Sequence, residues 1–185
     1  MNIKDILAKI GATEAPLARQ LLMTGLISRQ LEARGKPAPV LIGGLALSYY
    51  TREVYFTADI DLAYADRDAL DAVLQELGFV KSGRYWVHEG LDIAVEVPAR
   101  GLAGEEAPRE TVELEGGLFC IVIGLEDLII DRLNACKYWR DEDSCDWART
   151  MVLAAEDLDL AYLRRLAEQE DVTELLKPLL TEAGR

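Results

Sequence analysis

Apolar residues recur along the first third of the chain at helical spacing. Leu17, Leu21, Leu22, Leu26, Ile27 and Leu31 fall on one stripe, which predicts a helix from about Pro16 to Ala33. Gly35-Lys36-Pro37 ends it. The pattern then changes to short runs. Val40 to Ile42 reads as a buried strand, Gly43-Gly44 as a turn, and Leu45 to about Thr51 as a short helix. Thr57 to Ala63 reads as a second strand. Asp66 is placed to cap a helix over Ala69 to Leu77, and Gly78 to close it. Phe79 to Lys81 is a short strand. Arg84 to His88 and Leu91 to Val97 alternate around Glu89-Gly90, and Thr111 to Glu115 and Leu118 to Ile123 around Gly116-Gly117, so each pair predicts a hairpin. Pro98 to Pro108 reads as a loop. From Leu125 the period is helical again, over Leu125 to Tyr138, Glu142 to Ala155, Leu160 to Glu168 and Val172 to Leu180.

The expected class is therefore α+β: a mixed sheet with flanking helices over residues 1–124, then a helical part over 125–185. The boundary near Gly124 has little linker character, which predicts one compact body with the helical part packed on the core. At 185 residues, half of them hydrophobic, the chain can bury a proper core. No apolar run reaches bilayer-spanning length, and the start lacks the apolar core and cleavage site of a secretory signal. Three cysteines, Cys120, Cys136 and Cys145, are an odd and sparse set, which predicts reduced thiols and a cytoplasmic setting.

Charge narrows the chemistry. A formal net charge of -13 argues against a protein that grips nucleic acid through its phosphates. It suits one that holds divalent cations or meets a basic partner, although most acidic excess simply serves solubility. His88 is the only histidine, so neither a His-based zinc site nor a serine or cysteine triad can be built. No two cysteines have CxxC spacing.

One local pattern needs explanation. Asp59 and Asp61 interrupt the apolar run Thr57-Ala58-Asp59-Ile60-Asp61-Leu62, and on a strand they share a face. Paired like charges are unfavourable unless something positive lies between them. A divalent cation such as Mg²⁺ meets that need, with waters and phosphates completing its shell. Upstream, Gly43-Gly44 between a strand and a helix can bring backbone N–H groups close to phosphate oxygens.

Together, Leu41-Ile42-Gly43-Gly44 and Thr57-Ala58-Asp59-Ile60-Asp61-Leu62 resemble the nucleotidyltransferase fold of the DNA polymerase β superfamily, and within it the small bacterial AbiEii-type toxin nucleotidyltransferases. The stretch Glu126-Asp127-Leu128-Ile129-Ile130-Asp131-Arg132-Leu133 resembles that branch as well, so fragments from Val40 to Arg149 carry the likeness. The resemblance implies metal-dependent transfer of a nucleoside monophosphate from an NTP such as ATP to an acceptor hydroxyl, on a protein, an RNA 3′ end or a small molecule. It implies that Gly43 and Gly44 hold the triphosphate, and that Asp59 and Asp61 hold Mg²⁺ or Mn²⁺. It also implies a third carboxylate on a later strand, for which Asp92 and Glu96 both fit; their spacing puts them on one face of one strand.

Two features depart from the pattern. The spacer between Gly44 and Asp59 is long, and Gly44 stands where a serine hydroxyl is common. Arg52, Lys137 and Arg140 are candidates to reach the triphosphate; the plainer expectation for Arg132, Lys137 and Arg140 is charge pairing with Asp131, Asp141 and Asp143. Trp86, Trp139 and Trp147 are expected as core or rim packing. Two other functional classes stay open: a catalytically silent member that binds a nucleotide or a protein, as in a toxin–antitoxin pair, and an interaction domain with an acidic face.

Overall fold

The computed structural model describes residues 2–102 and 107–185. The centre of the expected Pro98–Pro108 loop lies outside the described residues. The chain divides into two compact units, Met1–Ile123 and Gly124–Arg185.

The first unit opens with α1 (Ile3–Ala12), absent from the sequence expectation. Its start is fixed by a capping box, in which the Asn2 side chain accepts from the Asp5 N–H at 2.9 Å and Asp5 accepts back from the Asn2 N–H. Helix α2 (Pro16–Glu32) begins on proline, whose missing N–H costs nothing at that position. It is buried on more than a stripe. Besides Leu21, Leu22, Met23, Leu26, Ile27 and Leu31, the polar residues Gln20, Thr24 and Ser28 are buried. The hydroxyls of Thr24 and Ser28 donate to the carbonyls of Gln20 and Thr24, one turn back, so they go inside with partners. Each Leu or Ile fully buried on this helix contributes about 1.5–3 kcal/mol.

The sheet comprises β1 (Val40–Ile42), β2 (Asp59–Ala63), β3 (Val80–Ser82), β4 (Tyr85–His88), β5 (Ile93–Ala99), β6 (Arg109–Leu114) and β7 (Leu118–Ile123), in the order β3-β4-β5-β2-β1-β7-β6. β2 runs antiparallel to β1 and parallel to β5, while β7 runs parallel to β1. The pairs β4–β5 and β6–β7 are the two expected hairpins. The register puts Leu41, Leu62, Ile60, Val95, Val122 and Cys120 on one face, all fully buried. Helix α2 covers that face. The Cys120 thiol donates to the Leu21 carbonyl, and Gly25 lies so close to β7 that a Cβ would stand 3.0 Å from Leu118. Helix α4 (Arg67–Glu76) buries Leu70, Val73 and Leu74, and Asp66 caps it by accepting from the Ala69 N–H. The opposite face of the sheet carries Ile42, Asp59, Asp61, Ala94, Glu96, Val87 and Tyr85.

The second unit is four helices: α5 (Leu125–Tyr138), α6 (Glu142–Ala154), α7 (Leu160–Gln169) and α8 (Thr173–Glu182). Asp141 caps α6 and Asp159 caps α7. The expectation of reduced thiols fails here. Cys136 and Cys145 form a disulfide, with Cα atoms 5.0 Å apart, because the chain turns back sharply at left-handed Arg140 and sets the last turn of α5 beside the first of α6. Cysteine count and spacing do not reveal a contact created by a helix reversal. Among the described residues no helix is long and apolar enough to cross a membrane.

Burial pushes the Cys120 thiol up to about 12, so it stays protonated and inert in the folded chain. The native protein should therefore expose no titratable thiol, the denatured unreduced chain one, and the reduced denatured chain three, counted with a chromogenic disulfide reagent. Reduction should also lower the stability of the helical unit by about 2–3 kcal/mol, read from urea melts with and without reductant.

Candidate active site

Three strands and one helix start converge on the open face of the sheet. In the antiparallel β1–β2 register Ile42 lies opposite Asp61; in the parallel β2–β5 register Asp61 lies opposite Glu96 and Asp59 opposite Ala94. Partners in register project to the same side of a sheet. Asp59, Asp61 and Glu96 thus meet half-buried, with one oxygen of each within 4.8 Å of the others. Unscreened by a counter-charge, carboxylates that close repel by about 1–4 kcal/mol per pair, depending on how wet the site is.

Each member is held by a neighbour. Helix α3 (Gly43–Tyr50) starts at Gly43, two residues before the expected start, so the Gly-Gly pair forms its first turn. Ile42, at the N-cap, is extended and offers no capping side chain. The Gly44 N–H instead faces Asp61 Oδ2 at 3.4 Å, a long bond, with the positive end of the helix behind it. Gly43 has φ +63°, and a Cβ there would stand 2.3 Å from Asp61 Oδ2. Both its backbone and its neighbour therefore demand glycine. Asp59 Oδ1 accepts from the Thr57 hydroxyl at 2.7 Å, and the Thr57 carbonyl accepts from Gln20 Nε2 at 3.2 Å, which ties the start of β2 to α2.

Glu96 carries the third contact. Arg84, in the turn between β3 and β4, brings Nε to 3.4 Å from Glu96 Oε1; its Nη2 donates to the Tyr85 hydroxyl at 2.6 Å, and its guanidinium lies over the Tyr85 ring. The Tyr85 hydroxyl first, and then the charge of Glu96 with a contribution from Asp59, hold the Arg84 guanidinium above its ordinary value. Sequence reasoning missed Arg84. Its signal was only the Ser82-Gly83-Arg84 turn, and Glu96 is tied to Tyr85 by a register that the sequence does not display.

The other expected residues fall elsewhere. Asp92 is not on a strand with Glu96. It follows a short 3-10 turn at Glu89–Leu91, has φ +51° and is exposed, so the four-residue spacing crosses a left-handed residue and the shared face is lost. Arg52 is exposed in the turn after α3, where it and Glu53 are both left-handed; the long spacer is thus a folded turn, closed by the Glu53 N–H to the Ser48 carbonyl and by the Ser48 hydroxyl to the Tyr55 carbonyl. In the helical unit Lys137 pairs with Asp171 at 2.7 Å rather than with the expected carboxylates, whereas Arg132 does pair with Asp131. Arg140 sits exposed in the α5–α6 turn. His88 is half-buried, edge-on to Phe79. Trp86 is core, its Nε1 donating to Asp71, while Trp139 is 75% exposed.

No family model and no curated protein matches the chain. Among solved structures, that of the antibiotic-resistance factor ANT(2'')-Ia is similar at 18% identity, covering 80% of this chain and 95% of that one with a TM-score of 0.43. A likeness of that degree carries no argument about the site, which stands on its own geometry.

Replacing Gly43 with Ala should destabilise the first unit by about 1–3 kcal/mol for the left-handed backbone alone. The added methyl must also displace the Asp61 carboxylate. Urea unfolding measures both together; the loss beyond that of a Gly35→Ala control, also left-handed but in open space, reads the second.

Proposed function

We propose that the protein is a metal-dependent nucleotidyltransferase, moving a nucleoside monophosphate from an NTP to an acceptor hydroxyl. The observation that carries the reading is the register that sets Asp59, Asp61 and Glu96 together against the first turn of α3. The donor set fits the ion. Three carboxylates supply hard oxygen ligands, and their half-buried position leaves coordination places for water and phosphate. A bound Mg²⁺ or Mn²⁺ would supply charge neutralisation at the α-phosphate and a lower pKa for the attacking hydroxyl.

The remaining work belongs to the chain. Asp59, oriented by Thr57, and Asp61, oriented by Gly44, are the metal ligands, with Glu96 as the third. The Gly43-Gly44 turn receives the triphosphate tail, with the positive end of α3 favouring its negative charge. In the reaction an acceptor oxygen forms a bond to the α-phosphorus as the bridging bond to pyrophosphate breaks. The hydroxyl proton passes to a carboxylate oxygen of the cluster. Lys137 and Arg140 belong to the other unit and receive no role, and Asp92 is left outside the ligand set.

The test is calorimetry with Mg²⁺ and each NTP. The wild type should bind at least one Mg·NTP, and the Asp59→Asn, Asp61→Asn double variant should lose that binding while keeping its circular dichroism. Glu96→Gln should weaken it by about tenfold or more, whereas Asp92→Asn leaves it unchanged. Binding that survives in the double variant would overturn the reading.

A further inference from the structure

Three carboxylates meeting within 4.8 Å need a positive charge even before any ion arrives. The protein supplies one. Arg84 reaches back from the β3–β4 turn to Glu96, whose side chain is 15% exposed, while that of Arg84 is 70% exposed. An arginine so exposed has no packing reason to lie there, and its turn is open, with nothing near a Cβ added at Gly83. Its guanidinium is aligned by two other contacts, the Tyr85 hydroxyl and the Tyr85 ring, and Tyr85 itself lies opposite Glu96 in the ladder. An exposed cation is thus directed by the sheet at the carboxylate that the metal reading also uses.

We propose that Arg84 is a resident counter-ion, which a divalent cation displaces from Glu96 and which, once released, binds a phosphate oxygen of the incoming nucleotide. This rests on the reading of Asp59, Asp61 and Glu96 as a metal site. The guanidinium and the ion compete for the Glu96 carboxylate, so part of the cluster's negative charge is offset without metal and the ion is bound more weakly for it. The released guanidinium is a planar fork suited to phosphate, at the rim of a site that takes a triphosphate. The device therefore couples the two ligands: the ion alone displaces a partner from Arg84, and nucleotide with the ion gives Arg84 a new one.

The test uses the full chain and Mn²⁺ as the probe, followed by electron paramagnetic resonance, first alone and then with ATP. Arg84→Ala should bind Mn²⁺ alone about two- to five-fold more tightly than wild type, as expected for removing a competitor worth an exposed ion pair. With ATP the order should reverse, the variant binding Mn·ATP several-fold more weakly. Arg84→Lys should return Mn²⁺ affinity to the wild-type value, because the charge is kept, but only partly recover the nucleotide affinity, because the fork is lost. If the wild type binds Mn²⁺ and Arg84→Ala binds it no more tightly, the counter-ion role is wrong and the metal site stands. If the wild type does not bind Mn²⁺ at all, both fall. Coincident thermal melts of the variants exclude a folding defect.

Discussion

The site depends on one close approach: Gly43 against the carboxylate of Asp61. The antiparallel pairing of β1 with β2 sets Ile42 opposite Asp61, so the chain leaving β1 must turn away directly over that side chain. Only glycine, left-handed and without a Cβ, allows it. The turn becomes the first turn of α3, its Gly44 N–H faces the Asp61 carboxylate, and a helix end of positive polarity is fixed beside a cluster of negative charge.

The rest of the first unit keeps that approach in place. α2, buried on most sides, packs on β7, and the apolar residues that alternate with the acidic ones (Ile60, Leu62, Val95) are fully buried on the other face of the sheet. Alternation then leaves Asp59, Asp61 and Glu96 no choice but the open face. Gln20 extends the same support to Thr57, and through it to Asp59. The cost of gathering like charges is met by core packing on the opposite face, with Arg84 offsetting part of it at the site. β2 (Asp59–Ala63) thus carries both buried apolar residues and two of the three clustered carboxylates.

What the sequence shows and what it hides follow from the range of each interaction. β1, the Asp59–Asp61 face, the Asp66 cap and the turn at Gly116-Gly117 depend on neighbours within a few residues, and they were legible. α1 has an equally local signal in Asn2 and Asp5, but its short amphipathic run was passed over. Whether Asp92 shares a strand face with Glu96 turns on whether the strand begins before or after Asp92, and the left-handed backbone at Asp92 sets that start in a way its spacing does not show. The Cys136–Cys145 bond and the Arg84–Glu96 pair form only once a helix reversal and a three-strand register exist, so neither has a local signature. The face shared by Asp59 and Asp61 follows from period alone; the approach of Arg84 to Glu96 does not.

A crystal grown with Mn²⁺ and a non-hydrolysable NTP tests the central claim most directly, through the anomalous signal of manganese. The account predicts a peak within coordination distance of oxygens from Asp59, Asp61 and Glu96, with phosphate density at the Gly43-Gly44 turn. Manganese bound elsewhere, or a carboxylate cluster left empty beside an ordered nucleotide, would contradict it.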